Sequence, residues 1–235
     1  MKNLFVLGIL TMVIMISSCN KVCIKGEGQL VKDTREVLMF SKVKIDLPCN
    51  LMLTNSINTE VVIEAEKNIL ALIKTEVKSN TLIISSVKCL DRKEFINIIV
   101  SAPQYKELEF NNNGNVKNDN ILQADKLKIL ISGSGNINLN TFVNKLNIEL
   151  KGSGDAILLG ATKELNINIK GSGNVDASKL NAFDADLSLS GSGNINVFAN
   201  NKLNADVKGS GNVYYKGSPK LSVKINGTGK VEKQQ

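Results

Sequence analysis

The chain has 235 residues, a formal net charge of +7, 43% hydrophobic residues, and neither histidine nor tryptophan. The lack of histidine excludes His-based triads, His general acid–base pairs and His-ligated metals. The apolar content excludes a disordered tail, and the length allows one large domain or two at most.

Met1-Lys2-Asn3 is a short positive start, and Leu4 to Ile16 is an apolar run too short to remain as a membrane-spanning helix. The run ends in Ile16-Ser17-Ser18-Cys19, which resembles the lipobox of bacterial lipoproteins. That resemblance implies a signal peptide over 1–18, cleavage before Cys19, and acylation of the Cys19 thiol and its new amine. It makes the membrane a partner through the lipid anchor and places the chain in the cell envelope. An outer-membrane lipoprotein facing either the periplasm or the surface fits this address. The alternative is an ordinary signal peptide with an incidental cysteine. Residues 19–39, polar and carrying Gly26 and Gly28, read as a tether. Three further cysteines follow: Cys23, Cys49 and Cys89. With Cys23 in the tether, Cys49–Cys89 is the preferred disulfide, and buried free thiols are the alternative. No Cys-x-x-Cys is present, so zinc and thioredoxin-like readings fail.

Residues 40–105 form a strand-rich part. Val43, Ile45 and Leu47 alternate with polar residues, as do Leu51 and Leu53, Val61 and Ile63, Leu82 and Ile84, and Ile96, Ile98 and Val100. Asn68 to Lys78 suggests a short helix, with Val77 able to open a strand instead. Residues 106–235 repeat. Gly-Ser-Gly begins at 133, 152, 171, 191 and 209, Gly-Thr-Gly at 227, and a degenerate copy ends at Gly114. The second glycines are 21, 19, 19, 20, 18 and 18 residues apart, and alternating apolar residues flank every mark. Such a period predicts an all-β parallel β-helix whose coils bury their apolar faces by stacking. The alternative is an antiparallel β-sandwich or roll with Gly-Ser-Gly as hairpin loops. Parity runs unbroken through each mark, so both glycines fall on the inward side, where they relieve crowding at a corner.

The residue after each mark is Asn115, Asn136, Asp155, Asn174, Asn194, Asn212 or Lys230. Stacked asparagines predict a hydrogen-bonded ladder. The functional alternative is a ligand ridge of hydroxyls and amides made by Ser134, Asn136, Ser172, Asn174, Ser192, Asn194, Ser210 and Asn212, able to meet a glycan at one site per coil. Ser132, Lys151, Lys170, Ser190, Lys208 and Asn226 precede the marks and form a weak basic column that keeps the rod soluble. Scattered lysines without interleaved aromatics argue against nucleic acid. Only Asp155 supplies a carboxylate among the ladder positions, too few for calcium, and no phosphate-loop lysine follows the glycines. No metal or cofactor is expected.

The lipobox, the string Ile96-x-Ile98-x-Val100-x-Ala102-Pro103 and the repeated Gly-Ser-Gly-Asn-(Ile/Val), as at 133–137 and 191–195, together resemble the DUF2807 family of Bacteroidetes envelope proteins. The resemblance covers roughly residues 40–232 and implies a right-handed parallel β-helix with an adhesin-like role. It brings no catalytic residues. The expected function is a non-enzymatic, lipid-anchored binding module for a glycan or for another envelope protein. A structural or regulatory envelope component is one alternative. A polysaccharide-active enzyme is the other, and its acids would be Asp155, Asp176, Asp184, Asp186 and Asp206. No two of these occupy equivalent coil positions.

Overall fold

The computed structural model describes residues 23–111 and 113–234. The expectations for the signal peptide and for Cys19 lie outside the described residues. In chain order the first elements are β1 (Ile24–Lys25), β2 (Leu30–Glu36), β3 (Lys42–Ile45), β4 (Asn50–Asn55) and β5 (Glu60–Glu66). The helix α1 (Lys67–Leu70) follows, then β6 (Ile73–Lys78), β7 (Thr81–Ser86), β8 (Leu90–Asp91) and β9 (Asn97–Ala102). The helix suggested over Asn68–Lys78 is thus a single turn that buries Ile69 and Leu70, after which Ile73 opens a strand.

The chain lays down its second rung before its first. Strands β3 and β4 pair in parallel with β7 and β9 on one side. On the other side they pair with β10 (Glu107–Phe110) and β11 (Asn115–Asn118). Between β9 and β10 the chain therefore steps over a finished rung. Tyr105 pins that crossing: its buried hydroxyl lies 2.7 Å from the Val100 carbonyl and 2.9 Å from that of Thr54. Lys106 N–H adds a bond to Ser41 O at 2.7 Å.

From there the repeats stack in parallel, as their spacing predicts, and the antiparallel roll is excluded for them. The remaining strands are β12 (Leu122–Gly133), β13 (Asn136–Gly152), β14 (Ala156–Gly171), β15 (Val175–Gly191), β16 (Ile195–Gly209), β17 (Val213–Lys216), β18 (Lys220–Gly227) and β19 (Val231–Lys233). The result is a β-solenoid of about seven turns. Register is like on like: Ile129 stacks on Ile148, then Ile167, Leu187, Ala205 and Val223. Burying such rows stabilises the stack by about 25 cal/mol per Å² of apolar surface, so stability resides between coils rather than within one.

Among the described residues antiparallel pairing is confined to the N-terminal end. Strand β6 lies antiparallel on β7, β5 on β9, and β2 on β5. Reversed strands stop the parallel stacking and close that edge. Residues 30–36, assigned to a tether from sequence, thus belong to the cap. The composition misled because β2 is an outer strand exposed on most of its length, so it has no apolar row to display. The C-terminal end differs. Every residue of β18 is exposed, and Leu221, Val223 and Ile225 on the inward parity are 46%, 41% and 42% exposed. The polar tail adds β19 on top of β17 and leaves β18 uncovered.

The disulfide joins Cys23 to Cys89, and Cys49 is a buried free thiol, so the Cys49–Cys89 expectation is corrected. Cys23 is not in a free tether: β1 pairs with β8 beside Cys89. Cys49 points into the solenoid core. Burial pushes its thiol up to about 12, so the nucleophilic thiolate is scarce at neutral pH. In a Cys19→Ala protein at pH 8, iodoacetamide is expected to modify Cys49 only at the rate of unfolding, and fully in denaturant. Fast modification of the folded chain, read by mass spectrometry, would contradict this burial.

Candidate binding groove

Each Gly-Ser-Gly mark is a corner. The first glycine has positive φ, from +119° at Gly133 to +153° at Gly227, a region that penalises any Cβ. In four of the six marks its carbonyl accepts two N–H groups from the next coil. Gly152 O, for example, takes Ser172 N–H at 3.0 Å and Gly173 N–H at 3.1 Å. The second glycine is buried and lies on the backbone of the coil before it. A Cβ on Gly154 would fall on the Gly135 carbonyl oxygen, and one on Gly173 on that of Gly154. The expectation that both glycines face inward is therefore corrected. The first is a turn residue, and what the second avoids is chiefly the neighbouring coil's backbone.

The ladder position is built into the same corner. Asn136 Oδ1 accepts the Asp155 N–H at 3.3 Å, Asp155 Oδ1 that of Asn174 at 2.9 Å, and Asn174 Oδ1 that of Asn194 at 2.9 Å. Asn194 and Asn212 continue the chain to the N–H groups of Asn212 and Lys230 at 3.1 and 3.0 Å. Side-chain amides of Asn174, Asn194 and Asn212 donate to the same oxygens at 2.9, 3.2 and 3.3 Å. These oxygens stand in for the backbone acceptors that a turning strand cannot supply. The ladder also runs further than the repeats suggest. Asn115 donates to Asn50, and Asn50 to Asn97, both at 3.2 Å. An asparagine followed by an aliphatic residue, as in Asn50-Leu51 and Asn97-Ile98, is the signal that could have found these two rungs.

Beside the ladder, Ser134, Ser172, Ser192 and Ser210 are exposed along the corner, and the Ser210 hydroxyl meets that of Ser192 at 3.1 Å. The lysine column is stacked in register. Lys151 pairs with Glu149 and Lys208 with Asp206, both at 3.0 Å. These exposed pairs add little stability. The Lys151 hydrogen bond holds the Glu149 carboxyl below its usual range.

A further concavity lies elsewhere, on the outward face of the strands that precede the corners. It is a groove of about 580 Å³. Two rows of polar residues floor it, with one residue of each row on each coil. The first row stacks Asn147, Asn166, Asp186 and Asn204, and the second stacks Glu149, Asn168, Ser188 and Asp206. Lys128 and Lys224 stand at the ends. Asn166 Nδ2 donates to Asn147 Oδ1 at 2.9 Å, and Asn204 Nδ2 donates to Asp186 Oδ1. Among the described residues the buried Asp206 Oδ1 has no donor. Apart from Asp186 and Asp206, weighed above as acids, none of these outward residues carries an expectation from the sequence. Their one signal is a row of amides, hydroxyls and carboxylates where lysine is usual.

Of the five aspartates weighed as acids, Asp186 and Asp206 line the same groove in different rows, and no two of the five stack in register. Asp186 stacks on Asn204, Asp206 on Ser188, Asp184 on Lys202 and Asp176 on Ile157, while Asp155 belongs to the ladder. Among the described residues no group of three or more Cys, Asp or Glu gathers at metal-binding distance.

A family model described as "Putative auto-transporter adhesin, head GIN domain" (DUF2807) matches residues 39–219. The chain belongs to the DUF2807 family. A solved structure described as a putative adhesin from Bacteroides fragilis is 31% identical, with a TM-score of 0.86 over 90% of this chain and 100% of that one. One described as a putative lipid binding protein from Parabacteroides distasonis is 22% identical, with a TM-score of 0.77 over 91% of this chain and 100% of that one. One described as a putative adhesin from Parabacteroides merdae is 19% identical, with a TM-score of 0.67 over 90% and 99%. The latter two likenesses concern the fold alone. No curated protein matches the chain. The DUF2807 match ends at Pro219, just before the exposed strand β18.

Proposed function

We propose that this DUF2807 protein is a non-enzymatic, adhesin-like envelope module. Acylated Cys19 holds it to a membrane, and the groove over Asn147–Asp206 binds a neutral glycan. The observation that carries this reading is the groove's floor, two rows of hydrogen-bonding side chains repeated at the rung spacing. Rungs lie about 4.8 Å apart, close to the advance per sugar of an extended polysaccharide. Glu149, Asp186 and Asp206 accept from hydroxyls and disfavour polyanions, while Lys128 and Lys224 leave the groove nearly neutral in sum. The family description and that of the Bacteroides fragilis structure, both of a putative adhesin, support a non-enzymatic reading.

A glycan array probed with the Cys19→Ala protein tests the site. Ser188→Trp fills the centre of the groove and is expected to weaken any glycan hit at least about tenfold, or about 1.4 kcal/mol. Ser172→Trp, on the corner ridge, is expected to leave binding unchanged. No glycan hit overturns the reading. Loss through Ser172→Trp alone moves the site to the ridge.

A further inference from the structure

The anchor and the disulfide together fix more than attachment. Only Asn20, Lys21 and Val22 separate Cys19 from Cys23. Whatever their conformation, four residue steps reach at most about 14 Å. Cys23 is bonded to Cys89, Ile24 N–H donates to Cys89 O at 2.8 Å, and Gly26 N–H donates to Asp91 O at 2.8 Å. The start of the mature chain is thus fastened to the segment 87–96. That segment exposes Val87 and Phe95, at 48% and 54%, with the Arg92 guanidinium 5.1 Å from the Phe95 ring. Around them Lys25, Lys88, Arg92 and Lys93 outnumber Glu27, Asp91 and Glu94. Aromatic and aliphatic groups ringed by basic ones are the composition that settles at a bilayer interface.

We infer that the Cys23–Cys89 disulfide is an orienting clamp that presses the segment 87–96 against the lipid surface, so that the solenoid stands cap-down with its later coils outermost. The inference rests on the Cys19 anchor. Without the disulfide the next firmly paired strand is β2 at Leu30, because β1 and β8 share only a two-residue pairing. The tether then spans eleven steps and reaches about 38 Å, which frees the cap from the membrane. With the clamp closed, the groove is carried outward from the membrane, where a ligand can reach it.

The chain has no tryptophan, so Phe95→Trp places a single indole on the segment. The full acylated protein is reconstituted in phosphatidylcholine–phosphatidylglycerol vesicles with brominated acyl chains. Emission from position 95 is expected to fall roughly twofold, as for an interfacial aromatic. Phe142→Trp, on the exposed flank of the coils, is expected to show no quenching. Cys23→Ser, or dithiothreitol on the clamped protein, is expected to abolish the quenching at position 95 while the protein still floats with vesicles. Val87→Trp serves as a second probe should position 95 disturb folding. Protein that floats with no quenching at either probe, or with quenching indifferent to the disulfide, overturns the clamp alone. Protein that is neither acylated nor vesicle-bound overturns the anchor and the clamp together.

Discussion

Replacing Gly173 with valine is expected to lower the melting temperature by about 10 °C, from a cost of more than about 3 kcal/mol. The argument is steric. A Cβ at this position falls on the Gly154 carbonyl oxygen and comes within 2.7 Å of Leu150 Cδ2. Backbone cannot retreat there as a flexible side chain could. Ser172 and Gly173 N–H both bond Gly152 O, while Asn174 N–H bonds Asp155, so the corner is held on both sides of the substitution. Relief requires prising two coils apart, and their stacking is the source of the stability. Ser172→Val is the control. Its side chain is exposed between the two glycines, and a change within about 0.5 kcal/mol is expected. Thermal melts followed by circular dichroism compare the two. An unchanged melt for Gly173→Val would contradict the backbone-on-backbone packing of the corners.

The same corner explains what could be read from sequence and what could not. Period and parity expose a solenoid because every coil must solve one packing problem with one set of residues, and stacking makes the solution repeat. Gly133, Gly152 and Gly171 recur for that reason, as do Asn174 and Asn194. Features that occur once leave no such trace. Strand β2 pairs with β5 through backbone bonds while most of its side chains face water, so its sequence looks like a linker. The second rung precedes the first because Tyr105 and Lys106 tie down a crossing that no periodicity encodes. The disulfide was misassigned for a related reason. Cys49 occupies the place that Gly114 takes in the next coil, an inward corner position, which its neighbours in sequence do not reveal. The groove was missed because its residues are polar and outward. Their meaning depends on the concavity of the stacked face, which a single strand cannot show.

Breaking the Cys23–Cys89 bond is expected to destabilise the cap by about 2–4 kcal/mol and to leave the repeats folded. The bond closes a loop with a sequence separation of 66 residues, for which the chain-entropy estimate is about 4 kcal/mol. Part of that is returned. Gly26 lies directly against the Glu66 carboxylate, which is 2% exposed and, among the described residues, accepts the Lys93 and Glu94 N–H groups through Oε1 while Oε2 has no partner. Release of β1 would let water reach that carboxylate, which offsets some of the lost constraint. The damage should also stay local. Contacts in a solenoid run between neighbouring coils, so loosening the cap propagates only as far as the first rungs. Cys89→Ser is therefore expected to split the thermal unfolding into an early cap transition and a later repeat transition. In hydrogen exchange, β5 and β9 should lose protection while β14 and β15 keep theirs. Uniform loss of protection along the whole chain would mean that the cap nucleates the solenoid, and that its coils cannot hold one another without a closed N-terminal edge.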